Sequence, residues 1–137
     1  MLSPVPVLFL TLAAHAGSAL VTPAELTPFL KVVTASAGAP GRIACRDMDL
    51  SMELKKSGLS PDAKAPVAWA ANEGQLKAYL AEGKLVVVGD AAMVAGGAGI
   101  AIVKGKGGKP EILINAKHVA VSGITLSDAL LKISKVQ

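Results

Sequence analysis

Lys84-Leu-Val-Val-Val-Gly89 is the segment that most restricts the fold. Leu85 to Val88 are all apolar and three of the four are β-branched. A strand of this kind has no polar side to turn to water, so it is buried on both faces, as in a parallel sheet covered by helices. The preceding sequence supplies the rest of such a sheet. Arg42-Ile-Ala-Cys-Arg46 and Pro66-Val-Ala-Trp-Ala70 read as two further strands. Between them, Asp47 or Asp49 caps a helix carrying Leu50 and Leu54 that ends at Gly58. Asn72-Glu-Gly-Gln75 is a capping box for a helix with Leu76, Tyr79 and Leu80 on one face, closed by Gly83.

Ahead of these units, Thr22-Pro-Ala-Glu25 reads as a helix start, with Leu26, Phe29, Leu30 and Val33 at i, i+3, i+4 and i+7. Pro28 allows a later start at Thr27. The last third changes character. Ala98 to Val103 and Pro110 to Ile114 predict a hairpin around Lys104-Gly-Lys-Gly-Gly-Lys109. Asn115 caps a helical segment running to Gly123, and Thr125 or Ser127 caps a final helix with Leu126, Leu130 and Ile133 on one side. The expected class is α/β: a mixed sheet with parallel strand–helix–strand units, a C-terminal β-hairpin and flanking helices.

The first charged residue is Glu25. The apolar stretch Val5 to Ala14 has the length of a signal-peptide core, and Ala14-His-Ala16 and Gly17-Ser-Ala19 both offer small residues for cleavage. Residues 1–19 are therefore read as an export signal and 20–137 as a single domain, with no stable membrane insertion after cleavage. Alanine supplies 24 residues and aromatic residues only 3% of the chain, which points to a core of small side chains.

Charge and composition exclude several functions. The net charge of +4 is mild, and the lysines at 104, 106 and 109 share one glycine-rich turn rather than a basic face with stacking aromatics. Nucleic acid is not an expected partner. One cysteine, Cys45, and two histidines leave no Cys- or His-rich metal centre, and no cofactor is expected. Gly96-Gly-Ala-Gly99 is similar to a phosphate loop, but a strand follows where a helix N-terminus is needed, so a tight backbone approach is the simpler reading. His118 has no nucleophile elbow to serve, which leaves no catalytic triad. Cys45 reads as a small buried hydrophobe or, if exposed after export, as an intermolecular disulfide partner. Trp69 reads as a core or subunit-contact residue.

Asp47-Met-Asp49 after one strand and Gly89-Asp90 after another are similar to the haloacid dehalogenase phosphatases. That similarity implies a nucleophilic aspartate, an acid/base aspartate and a carboxylate-held Mg²⁺. Downstream of Asp90, Glu111 falls inside the predicted hairpin, and helix capping explains Asp47 or Asp49 equally directly.

A broader resemblance runs from Gly83 to Val136. Gly83-Lys-Leu-Val-Val-Val-Gly-Asp90, the Gly96-Gly97 pair leading a hydrophobic strand, Pro110-Glu-Ile-Leu-Ile-Asn115 and Gly123-Ile-Thr-Leu-Ser-Asp-Ala-Leu-Leu-Lys-Ile-Ser134 follow in the order and spacing of the YfiR-like family of exported bacterial proteins. The resemblance implies structural roles for Gly89, Asp90, Gly96, Gly97, Asn115 and Gly123. It implies a periplasmic, non-enzymatic regulator of a membrane signalling protein, such as the diguanylate cyclase that sets cyclic di-GMP signalling and biofilm formation, with a homodimer as a candidate assembly. The chain departs from the family pattern in three respects. It is shorter and lacks one strand–helix portion before Val67. Ser36-Ala-Gly-Ala-Pro40 stands where the family carries Trp-Pro, and Cys45 alone cannot form the disulfides of the member for which the family is named. A Mg²⁺-dependent phosphatase and a small-molecule-binding protein using the strand carboxyl ends are the alternatives.

Overall fold

The structure, a computed structural model, describes residues 21–137; the export signal read at residues 1–19 lies outside them. The chain is α/β, with seven strands in one mixed sheet of order β2-β1-β3-β4-β5-β6-β7. The strands are β1 (Arg42–Cys45), β2 (Ser60–Pro61), β3 (Val67–Ala70), β4 (Leu85–Val88), β5 (Ile100–Lys104), β6 (Pro110–Ile114) and β7 (Lys135–Val136). The first five in the order run parallel; β5 and β6 pair antiparallel as the expected hairpin, and β7 lies parallel to β6.

Helix α1 (Pro23–Ser36) begins at Thr22, not at Thr27. The capping box forms: the Thr22 hydroxyl accepts from the Glu25 amide, and the Thr22 amide donates to the Glu25 carboxylate at 3.0 Å. Pro28 is tolerated inside the helix. It cannot donate to the Ala24 carbonyl, and the Thr27 hydroxyl donates to that oxygen instead, at 3.2 Å. Helix α2 (Met48–Lys56) links β1 to β2 and is capped by Asp47, while α3 (Glu73–Ala81) links β3 to β4 and is capped by Asn72. A 3₁₀ turn at Ala91–Gly96, capped by Asp90, replaces a full helix between β4 and β5. Asn115 caps α4 (Ala116–Val121), and Ser127 caps α5 (Asp128–Lys132). The final helix is shorter than its apolar spacing suggests, because Lys135 and Val136 leave it to pair with Leu113 and Ile114.

The two sides of the sheet have different cores. Leu26, Leu30 and Val33 of α1 join Leu50 and Leu54 of α2, Leu130 of α5 and a row of leucine, isoleucine and valine from the strands. On the other side, Leu76 and Tyr79 of α3 and Met93 cover Ala44, Ala68, Ala70, Ala98 and Ala101 with Val86 and Val88. The core of small side chains expected from composition is thus confined to one face.

Candidate functional site

The order β2-β1-β3-β4-β5 has a consequence for where a ligand fits. From β1 the chain crosses outward to β2 through α2, and from β3 it crosses the other way to β4 through α3. The two connecting helices cover opposite faces, so the strand ends between them are left open. In open α/β sheets such a reversal point, at the carboxyl ends of the strands, is where ligands bind. A cavity of about 350 Å³ occupies that position. Val21, Pro23 and Leu26 form one wall from the start of α1. Asp47 and Leu50 come from the start of α2, Trp69 to Ala71 from the end of β3, and Gly89, Asp90 and Met93 from the turn after β4.

Each lining group is placed by a local rule. The Asp47 carboxylate accepts from the Leu50 amide at 3.2 Å and the Asp90 carboxylate from the Ala92 amide at 2.9 Å, so both aspartates hold the starts of helical turns. Trp69 faces the leucine-rich side and is 7% exposed. Gly89 makes room for it: a Cβ there would stand 3.1 Å from the end of the indole ring. The apolar walls and the few polar groups at fixed positions suit a small organic molecule.

The structure brings together two of the three aspartates singled out in the sequence. Asp47 and Asp90 line the same cavity, whereas Asp49 is exposed on the first turn of α2 and is not among the lining residues. Among the described residues no three His, Cys, Asp or Glu side chains cluster as metal ligands. Gly96 ends the 3₁₀ turn, and Gly97 follows with φ +121. A Cβ on Gly97 would meet the Leu80 side chain at 2.6 Å, so Gly97 serves a close approach, whereas a Cβ on Gly96 would stand an ordinary 3.4 Å from Leu76. Gly123 closes the segment after α4 with φ +78.

The remaining candidates lie elsewhere. His118 is half-buried, with Nδ1 3.0 Å from the Ala98 carbonyl oxygen, and lines a separate hollow of about 200 Å³ beside Leu80, Gly97 and Val121. Cys45 ends β1 half-buried, and its thiol donates to the Asp47 carbonyl at 3.6 Å. Burial pushes that thiol above its ordinary pKa, partly offset by hydrogen bonding toward the sulfur from the Ser51 side chain and the Asp47 backbone. In the turn of three lysines, Lys106 and Lys109 are exposed, while Lys104 is half-buried, 4.0 Å from Glu25. Val21, Leu26 and Met93 are cavity residues that sequence reading missed. Helix spacing marks Leu26 only as core, and nothing local marks the other two.

No family model matches the chain, and no curated protein matches it. Solved structures do. A conserved domain protein from Vibrio cholerae is similar with a TM-score of 0.63 at 13% identity, over 83% of this chain and 59% of that one. The ABC domain in complex with L-Trp from Streptococcus pneumonia is similar with a TM-score of 0.58 at 16% identity, over 84% of this chain and 60% of that one. The chain spans about three fifths of the length of each, and at these identities the likeness establishes the α/β fold.

Proposed function

We propose that this chain is an exported, non-enzymatic binding and regulatory protein of the YfiR-like type, acting on a membrane signalling protein such as a diguanylate cyclase. The observation that carries binding over turnover is the cavity lining. Its walls are apolar, and among the described residues its side-chain polar groups beyond the indole are Asp47 and Asp90, both engaged in holding helical turns. A regulator needs only a different affinity for two states of its partner. Val21, Pro23 and Leu26 bring the first turn of α1 to the cavity, so an occupant there acts directly on that helix. Ile133 and Val136 are apolar and exposed near the β7 edge and offer a contact surface. Tagged protein incubated with periplasmic and solubilised membrane extract is expected to recover a membrane sensor or cyclase, and its expression to lower cellular cyclic di-GMP. Recovery of nothing but the protein itself, with unchanged cyclic di-GMP, defeats the regulatory reading.

A second reading is supported by the position of the cavity and by the similar domain whose structure holds L-Trp. It is that the chain is a small-molecule-binding protein. Thermal shifts with a metabolite panel separate the two: a specific stabiliser favours this reading, and a flat panel leaves the protein partner ahead. Mg²⁺-dependent turnover of an aryl phosphate, abolished by Asp47→Asn, would replace both with the phosphatase.

A further inference from the structure

The charge of the cavity limits what it can hold. Asp47 and Asp90 are on its wall, and among the described residues that line it none is lysine, arginine or histidine. Arg46, next to Asp47 in sequence, and Lys104, beside Glu25 of α1, face other partners. Arg46 follows the alternation of β1 to the opposite face, where its guanidinium lies 5.2 Å from the centre of the Tyr79 ring, and Lys104 faces Glu25. A helix start contributes about half a positive charge at most; the turns that begin at Asp47 and Asp90 are each capped by a full carboxylate charge, and α1, capped by the Thr22 hydroxyl, carries the Glu25 carboxylate on its first turn. An anion therefore meets net negative charge. Each aspartate gives one carboxylate oxygen to its capping bond, which leaves the other as an acceptor. The rest of the surface is hydrocarbon and indole: Val21, Leu26, Leu50, Trp69 and Met93.

We propose that this cavity selects a small apolar ammonium compound, an alkyl or arylalkyl amine. Its hydrocarbon body lies against Leu26, Leu50, Trp69 and Met93, and its ammonium group is met by Asp47 and Asp90. The inference rests on the small-molecule reading of the cavity and names the chemical class that reading leaves open. Cation–π attraction to Trp69, the best aromatic partner for a cation, adds to the carboxylate term.

Trp69 is the only tryptophan of the chain, so its fluorescence reports on this cavity. Four probes share one body and differ in charge: phenethylamine, phenethyl alcohol, phenylalanine and phenylpropionate. Phenethylamine is expected to bind at least about tenfold more tightly than the alcohol, the scale of a charge-assisted hydrogen bond, with phenylpropionate weakest. Added salt should narrow the gap. Asp47→Asn and Asp90→Asn keep a side chain that caps a helical turn, so the fold survives, and each should reduce the preference for the amine over the alcohol severalfold. Equal or tighter binding of the alcohol or of phenylpropionate overturns the charge inference and leaves small-molecule binding standing. So does an amine preference that neither Asn variant changes. Failure of all four probes to alter Trp69 emission or melting temperature removes the small-molecule reading together with the inference.

Discussion

The two faces of the sheet use the same strands and opposite chemistry. Alternate residues of a strand point to opposite sides, so Ile43, Trp69, Val87 and Ile100 face α1 and α2, while Ala44, Ala68, Val88 and Ala101 face α3 and the 3₁₀ turn. The first face fills its volume with large branched side chains from four helices and five strands. The second does so with alanine under a single nine-residue helix and a short turn. The difference teaches where the fold has room to hold something. On the large-residue side, the helix starts converge on the strand ends and leave the Trp69 cavity between them. On the alanine side, the small side chains let the covering elements sit on the sheet without a deep layer between.

The comparison breaks most directly by truncation on the first face. Leu30 is fully buried in α1, and Leu30→Ala should cost about 2–5 kcal/mol in urea or thermal unfolding, the transfer term plus the unfilled volume. The converse substitution tests the second face. Ala68 is equally buried on β3 among Ala44, Leu76 and Val86, so Ala68→Leu adds bulk where there is none to spare and should cost about 1–3 kcal/mol. If Ala68→Leu is neutral, the alanine face is loosely filled and the contrast between the faces fails.

How much of this was legible in the sequence depends on whether side chains or backbone decide an element. Capping residues and apolar periodicity placed α1, α2, α3 and α4, because Thr22, Asp47, Asn72 and Asn115 satisfy free helix amides locally. The edge strands β2 and β7 were illegible. Each has two residues and no pattern, and backbone bonds fix them: the Ser60 amide to the Gly41 carbonyl, and the Gln137 amide to the Ile114 carbonyl. Val136 continues the apolar spacing of the last helix, yet ends as a strand residue half exposed to solvent. Lys84 begins the most apolar segment of the chain and is nonetheless buried. Its ammonium group donates to the Ala63 and Ala65 carbonyls, partners no local pattern announces. The cavity was foreseeable as a place, since parallel strands imply usable carboxyl ends. Its membership was not, because Val21 and Met93 are distant in sequence and meet only through topology.

The smallest effect concerns the helix start that walls the cavity. Glu25 is held below its ordinary value of 4.5 by hydrogen bonds from the Thr22 amide and hydroxyl, opposed by slight desolvation and aided weakly by the Lys104 ammonium. A carboxyl group whose folded value is lowered stabilises the fold above its unfolded value, and that stabilisation is lost as pH falls through the folded value. The loss therefore begins as pH drops below about 4.5, within the range where the ordinary glutamate takes up its proton. Because Glu25 is solvent-accessible, the effect is modest and weakens further with salt. Melting curves of the protein and of Glu25→Gln, taken from neutral pH down through this window, should converge at the acid end and separate slightly above it. Parallel curves at every pH would mean that the charge of Glu25 contributes nothing to this end of α1. The capping geometry alone would then hold the helix against the large-residue face and the cavity beside it.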